Sequence, residues 1–384
     1  MLLDIVKHPL FQRLTRIKQL GLTNVVYPGA QHTRFQHSLG AFHLTSEAIL
    51  SLTQKGVFIF ESEAEAVQAA ILMHDIGHGP FSHVLENTLI HGISHEEISL
   101  MMMNEINHDL GDNLTLAIKI FKDEYPKRFL HQLISSQLDM DRLDYLRRDS
   151  FFTGVTEGNI GSARIIKMLN VVDDNLVVDS KGIYSIENYL TSRRLMYWQV
   201  YLHKTTVGYE KLLVNLLSRA KYLADQGETV FATPALHFFL YNHIDKEADN
   251  AEPLQHYKML DDSDIWASVK AWTTHRDPIL SLLSRNLIDR RIFKVEVRST
   301  AVEEAEVMDI RHQIAQRYGL SFDDTAYLVN VSTIRKDMYD IHDDHISILY
   351  KDGTIKDITE ASEILNISLL SKKICKYYLC YQRF

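Results

Sequence analysis

The sequence predicts a mainly α-helical protein in which a helical bundle is followed by a smaller α+β region. Apolar residues recur at helical spacing through most of the first 220 residues. The run VVDDNLVVD places two short β-branched stretches around a turn signal, which is typical of a small hairpin. After residue 290, strand-like stretches alternate with helical ones. We therefore predict one domain over residues 1–220 and a C-terminal α+β region over residues 221–384.

The individual elements follow from these patterns in chain order. Pro80 and Ser82 are expected to open a helix over FSHVLENTLI. A hairpin is predicted at 170–183, and one long helix from Ile183 to Leu223. The other helices of the bundle are predicted over residues 33–52, 63–76, 95–107, 113–121, 126–137 and 139–149. The C-terminal region is predicted to hold strands at 292–297 and 327–332, a helix at 301–318 and a hairpin at 346–358.

Charge limits the function classes. The 384 residues carry a net charge of −9, so the chain as a whole is not expected to bind polyanions. A local basic strip keeps a nucleic-acid contact open, although a solvated face or an interface is the preferred interpretation. The strip consists of Arg285, Arg290, Arg291, Lys294 and Arg298.

The cysteines and the N-terminus indicate a cytoplasmic protein. Cys375 and Cys380 are the only cysteines and lack the partner pair of a zinc ribbon, so reduced thiols are expected. The N-terminal run MLLDIVKHPLFQRL lacks the apolar segment of a signal peptide. The sequence contains no uninterrupted apolar stretch of membrane-spanning length, so no membrane partner is expected.

Histidine and aspartate residues form the main functional pattern, which consists of His37, the pair His74-Asp75, and Asp141. Adjacent helical residues point about 100° apart, so both members of the pair reach one ion only at a helix end or in an open cavity. Imidazole and carboxylate ligands favour Mn, Fe, Ni or Zn over Ca. Four such ligands leave positions open for water or a phosphate oxygen, and a bound water would become a nucleophile near neutral pH.

The residues around His74 strengthen this interpretation. A lone buried histidine is more often a hydrogen-bonded core residue, and one His-Asp pair would be weak evidence. However, HDIGHGPFSH contains three histidines, two glycines and a proline in ten residues. Gly77, Gly79 and Pro80 predict a tight turn at which a ligand approaches the backbone.

Longer motifs resemble one protein family. The segments HTRFQHS, LMHDIGHGPFSH and DMDRLDYLRRD are similar to the HD superfamily. FQRLTRIKQLG followed by VYPGAQHTRFQHSLG resembles, more narrowly, the SAM-and-HD-domain deoxynucleotide triphosphohydrolases and their bacterial relatives. The resemblance covers roughly residues 4–215, weakens over 220–298 and is absent beyond 300. It implies that residues 1–220 form an HD phosphohydrolase domain, and that the protein is a homo-oligomer, as a dimer or tetramer.

The resemblance also implies a reaction. The metal ligands would be His37, His74, Asp75 and Asp141. His95 would protonate the leaving oxygen as general acid, supported by His83 and Glu86. Metal-activated water would attack the α-phosphorus of a dNTP and release a deoxynucleoside and inorganic triphosphate. Mg could accompany the substrate, and dGTP is one candidate for the preferred substrate.

Two aspartates near Asp141 have alternative interpretations. Asp139 is the nearest competitor for the metal, although the match of DRLDY favours Asp141. Asp144 would share a helix face with Asp141, but a surface salt bridge with Arg147 or Arg148 is an equally good interpretation.

Substrate contacts implied by the resemblance fall at Gln19, Leu20, Arg34, Arg142, Tyr145, Asp149, Arg193, Tyr197 and Tyr201. The arginines would bind phosphate oxygens. Gln19 and Leu20 match the sugar and base side, and Tyr145 and Asp149 the ribose edge and its 3′-hydroxyl. Tyr145 stacked under a deoxyribose would exclude a 2′-hydroxyl sterically.

The sequence departs from the family where some members bind an activating guanine nucleotide. Lys7 and Thr15 stand at positions that hold an aspartate and an arginine in those members, so guanine activation is expected to be altered or absent. Two other functions compete with the first. One is hydrolysis of another phosphoester, such as a nucleoside monophosphate, a cyclic nucleotide or an alarmone. The other is a non-catalytic nucleotide-binding or nucleic-acid-binding module.

Overall fold

A computed structural model describes residues 1–81, 84, 88–89, 93–244, 251–336, 339, 345–362 and 374–384. Within these residues, the α-helices up to residue 196 are α1 Leu2–Lys7, α2 Pro9–Gln12, α3 Arg34–Gln54, α4 Glu61–Met73, α5 His95–Asp109, α6 Thr115–Phe121, α7 Arg128–Gln132, α8 Met140–Thr153, α9 Ser162–Met168 and α10 Ile183–Met196. The later ones are α11 Lys204–Asp225, α12 Pro234–Tyr241, α13 Ala251–Met259, α14 Asp262–Trp272, α15 Pro278–Ile288, α16 Glu304–Tyr318 and α17 Ile358–Ala361. None of the helices within these ranges is long and apolar enough to cross a bilayer.

The bundle is organised around α3. The helix begins after Thr33, whose backbone N–H donates to Oε1 of Gln36 at 2.8 Å, which satisfies a free amide of the first turn. Ala41, Ala48 and Leu52 lie on one side of α3 and are fully buried. That side packs against both α4 and α8. The arrangement brings the N-terminal turn of α3, the C-terminal end of α4 and the N-terminal turn of α8 together.

The prediction of one long helix from Ile183 to Leu223 is wrong in one respect: a break divides this region into two helices, α10 and α11. After α10, residues Tyr197–Tyr201 form a π-helical turn in which Leu202 N donates to the carbonyl of Tyr197 at 2.7 Å. His203 then caps α11, its ring Nδ1 accepting from Thr205 N at 3.2 Å. Sequence periodicity could not reveal the break, because residues on both sides of it follow a helical apolar pattern.

Two small sheets complete the fold. Their strands are β1 Leu169–Val172, β2 Asn175–Asp179, β3 Lys294–Arg298, β4 Val329–Lys336, β5 Ser347–Leu349, β6 Ile355–Asp357 and β7 Ile374–Tyr381. One sheet has the order β1-β2-β5-β6, in which β2 and β5 are parallel. The other has the order β3-β7-β4 and is antiparallel. Both predicted hairpins are present, and the mainly α fold with a small C-terminal sheet region is confirmed. The division at residue 220 stays a prediction.

Candidate metal centre and nucleotide site

Three of the four predicted metal ligands lie together. His37 comes from the first turn of α3, His74 follows the last residue of α4, and Asp141 lies in the first turn of α8. Nε2 of His37 is 2.9 Å from Oδ1 of Asp141 and 3.3 Å from Nε2 of His74. Nε2 of His74 is 3.4 Å from the same Asp141 oxygen. The three ligand atoms lie within 4.8 Å of one another, so a single ion could contact all of them.

Asp75 lies beside this cluster and is paired with a cation. Its Oδ1 is 3.4 Å from Nε2 of His74, and its Oδ2 is 3.8 Å from Nε2 of His37. The same Oδ2 accepts a hydrogen bond from Nη1 of Arg34 at 2.5 Å. Helix α4 ends at Met73, so the His74-Asp75 pair occupies the helix end that the spacing argument requires.

The far nitrogens of both histidines are hydrogen-bonded. Nδ1 of His74 lies 2.7 Å from the carbonyl of Ile71, which can only accept, so this nitrogen carries the proton. Nδ1 of His37 lies 2.8 Å from Oδ2 of Asp144. Both rings are therefore held with Nε2 facing the cluster, the orientation that metal-binding imidazoles adopt. Asp144 also accepts two hydrogen bonds from Arg148, so both interpretations of this aspartate apply.

The charges in the cluster suit a divalent cation. Burial lowers the pKa of His37, but hydrogen bonds to Asp141 and Asp144 outweigh it and place that pKa well above the ordinary value. Burial raises the pKa of Asp141, yet hydrogen bonds from His37 and His74 bring it far below the usual range. The site therefore attracts positive charge strongly, and the imidazole and carboxylate donors fit a divalent transition metal.

Gly77 joins the His74-Asp75 end to helix α5. A Cβ atom at Gly77 would lie 2.2 Å from the carbonyl oxygen of His95 and 2.3 Å from Ser99 N. Gly77 N donates to Oγ of Ser99 at 2.9 Å, and that hydroxyl donates to the carbonyl of His74 at 3.0 Å. At Gly77 the backbone that needs the space is the start of α5, so the close approach of a ligand to this turn stays a prediction.

The packing of α5 brings the predicted general acid to the site. The His95 ring stacks on the His78 ring, with centroids 4.0 Å apart and an interplanar angle of 17°. Nε2 of His78 is in turn 3.2 Å from Oδ1 of Asp75. Burial and the charge of Arg34 lower the pKa of His78 to about 3, so this ring is neutral. The other two predicted members of the acid group, His83 and Glu86, lie outside the described residues.

Aromatic and carboxylate side chains form a wall next to the metal cluster. The Tyr145 ring lies 6.4 Å from the His37 ring and 6.1 Å from the Tyr201 ring. The Tyr201 hydroxyl donates to Oδ2 of Asp149 at 2.7 Å, and Tyr197 packs edge-on against Tyr201 at 5.2 Å. Four predicted substrate contacts on α8 and the π turn, Tyr145, Asp149, Tyr197 and Tyr201, thus lie on one side of His37.

Comparison with known proteins shows the family. The HD domain matches residues 34–149 and the HD associated region matches residues 160–229. A phosphohydrolase from Bacteroides thetaiotaomicron, known from its crystal structure, is 66% identical, with a TM-score of 0.97 over 99% of this chain and 95% of that one. The protein is an HD-domain phosphohydrolase.

Two further relatives extend the comparison. The uncharacterized protein YwfO of Bacillus subtilis is 34% identical over 99% of this HD-domain chain and 88% of its own length. The deoxynucleoside triphosphate triphosphohydrolase SAMHD1 homolog of Dictyostelium discoideum is 32% identical over 57% of this chain and 46% of its own length.

Two arginines of the HD-domain site differ in whether their N–H groups have acceptors within the protein. Arg142 donates to the carboxylate of Asp139 and to the carbonyl of Ser136. Nε and Nη1 of Arg193 are buried and have no hydrogen-bond partner among the described residues. Arg193 is therefore the cation with unused donors, whereas Arg142 is held within the protein. Asp139 also caps α8 by accepting from Arg142 N at 2.7 Å, a structural role that leaves the cluster to Asp141.

The segment before α3 provides the remaining predicted contacts. Gln19 N donates to the carbonyl of His32 at 3.0 Å, while its side-chain Oε1 is buried without a partner in the described part of the chain. Leu20 is partly buried against the core. Sequence reasoning missed His32, whose Nε2 lies 2.7 Å from Oδ1 of Asp149. Its position inside the HTRFQHS motif was the available signal.

The basic strip of the C-terminal region is largely neutralised within the chain. Arg298 forms ion pairs with Glu296 and Glu306, and Lys294 lies 3.0 Å from Glu296. Arg291 lies 3.3 Å from Asp289. These pairs favour the interpretation of the strip as a solvated face or an interface.

Proposed function

We propose that the protein is a metal-dependent dNTP triphosphohydrolase that converts a dNTP to a deoxynucleoside and inorganic triphosphate. The observation that carries this proposal is the position of Tyr145, between His37 of the metal cluster and the Tyr201–Asp149 pair. A phosphate held at the cluster would have its sugar within reach of a tyrosine and a carboxylate. The resemblance to a relative named as a dNTP triphosphohydrolase points the same way.

The metal would be held by His37, His74, Asp75 and Asp141. A bound divalent ion, Mn, Fe, Ni or Zn, would lower the pKa of a coordinated water and so supply the nucleophile near neutral pH. Asp144 and the Ile71 carbonyl hold Nδ1 of each histidine and so aim Nε2 at the cluster, where a metal would take the place of a proton. Mg could enter with the triphosphate.

His95 would act as the general acid. The bond between the α-phosphorus and O5′ breaks while the oxygen of water joins the phosphorus, and O5′ must gain a proton as it leaves. His95 stacks on neutral His78, and His78 in turn contacts Asp75. His83 and Glu86 would support this proton transfer.

The triphosphate and the nucleoside would contact different side chains. Arg34 is buried beside the cluster, and Arg193 has unused donors, so both suit phosphate oxygens. Asp149 would accept from the 3′-hydroxyl, and Tyr145 would lie under the deoxyribose and exclude a 2′-hydroxyl. Arg142, Tyr197, Tyr201, Gln19 and Leu20 would complete the substrate contacts.

One observation favours the alternative, hydrolysis of a smaller phosphoester. Because Arg142 is neutralised by Asp139, it does not add a free cation for a triphosphate among the residues that the structure describes at the site. A monophosphate or a cyclic nucleotide needs fewer cations.

Product analysis separates the two functions. Purified protein is incubated with each dNTP, NTP and dNMP in Mn or Mg, and products are resolved by ion-exchange chromatography. Inorganic triphosphate from dNTPs supports the proposal, whereas orthophosphate from monophosphates supports the alternative. His74→Ala should abolish the activity, and His43→Ala, an exposed histidine on the same helix as His37, should leave it unchanged. Activity that survives in His74→Ala would show a contaminating hydrolase.

A further inference from the structure

Tyrosine hydroxyls donate to backbone carbonyls in and just after the π turn that carries Tyr197 and Tyr201. A helix that lengthens its hydrogen bond from i+4 to i+5 shifts its register, and the displaced carbonyls need other donors. The carbonyl of Gln199 accepts from the Tyr27 hydroxyl at 2.6 Å. The carbonyl of Leu202 accepts from the Tyr378 hydroxyl at 3.0 Å. Two tyrosines from distant parts of the chain therefore hold the turn.

Tyr378 belongs to β7, and β7 makes a second contact with the same turn. Nζ of Lys376 lies 3.7 Å from the centre of the Trp198 ring, within the range of a cation–π interaction. Side chains alternate across a strand, so Lys376 and Tyr378 share one face and Tyr377 lies on the other. One contact lies within the turn, at Trp198, and the other at Leu202, the residue that follows it.

The strand itself is well suited to act as a fixed support. β7 pairs with β3 over residues 377–381 and with β4 over residues 374–381, so it is the central strand of its sheet. Tyr378 is almost fully buried, with 1% of its surface exposed. A central strand with a buried contact residue has little freedom to move independently of its sheet.

We propose that Tyr378 and Lys376 are positioning residues that set the π turn so that Tyr197 and Tyr201 face the sugar of the substrate. The proposal rests on the proposed dNTP triphosphohydrolase function and gives the C-terminal sheet a role in it. Consecutive contacts connect the strand to the site: Tyr378 donates to the carbonyl of Leu202, the turn positions Tyr201, and Tyr201 donates to Asp149. Neither Tyr378 nor Lys376 would touch the substrate.

The test uses Tyr378→Phe, with Tyr377→Phe as the matched control on the opposite face of the strand. Amide hydrogen exchange of the full-length protein reports on the turn without any substrate, and steady-state kinetics with dNTPs report on its use. We expect Tyr378→Phe to speed exchange at residues 198–203 and to raise KM about fivefold with kcat within twofold, as the loss of one hydrogen bond implies. Tyr377→Phe should change neither quantity.

Lys376→Met provides an independent optical readout. It keeps an apolar stem over Trp198 but removes the charge, so the emission of this indole should change. The chain has three tryptophans, and subtracting the spectrum of Trp198→Phe isolates the relevant one. The positioning role is overturned if residues 198–203 of Tyr378→Phe exchange their amide hydrogens at the rate of the unmodified protein. It is also overturned if their exchange becomes faster while KM for dNTPs stays constant. If the unmodified protein hydrolyses no dNTP, the proposed function fails, and the exchange and emission data still decide whether β7 holds the turn.

Discussion

Nδ1 of His37 lies 2.8 Å from Oδ2 of Asp144, one helical turn along α8 from Asp141. The two carboxylates thus hold the same imidazole from its two nitrogens, Asp144 from behind and Asp141 from the metal side. Gly40 leaves the space that this arrangement needs, because a Cβ atom there would lie 2.0 Å from the side chains of both Asp144 and Arg148. The orienting aspartate is therefore as much a part of the site as the ligands.

Replacing Asp144 should weaken metal binding. Asp144→Asn removes the negative charge that makes His37 a basic ligand, and loss of such a partner lowers metal affinity by about 10- to 100-fold. Competitive titration with a chromogenic chelator measures the affinity. Arg148→Gln is the control, because it breaks the other Asp144 contact and leaves the His37 hydrogen bond in place. Equal losses in both variants would contradict the orienting role.

Arg193 should be more important for substrate binding than for stability. Its buried Nε and Nη1 have no partner among the described residues, so Arg193→Met removes a desolvated charge and the free energy of unfolding should hold or rise. One or two lost hydrogen bonds to phosphate would raise KM for dNTPs by about 10- to 100-fold. Urea unfolding and steady-state kinetics measure the two quantities. The neighbouring Arg194→Met is the control, and a marked loss of stability in Arg193→Met alone would argue for a structural role.

Asp262 should make stability depend on pH. Its Oδ2 accepts from Lys18 N at 3.1 Å, its Oδ1 is buried without a partner in the described residues, and burial raises its pKa to about 6. In the unfolded chain the pKa of this carboxyl is near its ordinary value of 3.8. Above pH 6 the carboxyl is charged in both states, and its burial then lowers the free energy of unfolding. Below pH 4 the carboxyl is protonated in both states, so this destabilisation disappears. A shift of about two pH units corresponds to about 3 kcal/mol.

Asp262→Asn should therefore be the more stable protein at pH 7.5, by up to about 3 kcal/mol, and equal to the unmodified protein at pH 3.5. Urea unfolding of chelator-treated protein at both pH values provides the comparison. A variant less stable at pH 7.5 would mean that the carboxylate is charged and stabilised by Arg34.

GTP should not stimulate dNTP hydrolysis strongly. The family resemblance implies that Lys7 and Thr15 stand where an acidic and a basic residue bind an activating guanine nucleotide in some members. The Thr15 hydroxyl donates to the carbonyl of Gln12 at 2.6 Å, so it is already used within the chain. Initial rates with dATP at increasing GTP test this expectation. Strong stimulation at low micromolar GTP would overturn it.

The sequence was most informative where a function depends on local spacing. His37, His74 and Asp141 could be selected because helix ends and motif positions fix which side chains converge, and the structure places them together. The mainly α fold followed from periodicity in the same way. Residues whose importance depends on distant contacts were harder. His32 acts through Asp149 on α8, and Gly77 accommodates the start of α5. Such contacts join segments about 20 to more than 100 residues apart, which no local pattern encodes.

The parallel pairing of β2 with β5 has a consequence for how the chain folds. Val177 lies opposite Ser347, so these strands can meet only after a loop of about 170 residues has closed. Long-range pairing of this kind is slow, and it cannot occur on the ribosome until the C-terminal region has emerged. Until then β2 presents an unpaired edge, to which another copy of the chain could add a strand. The sheet that starts with the β1–β2 hairpin is thus completed by a segment synthesised about 170 residues later.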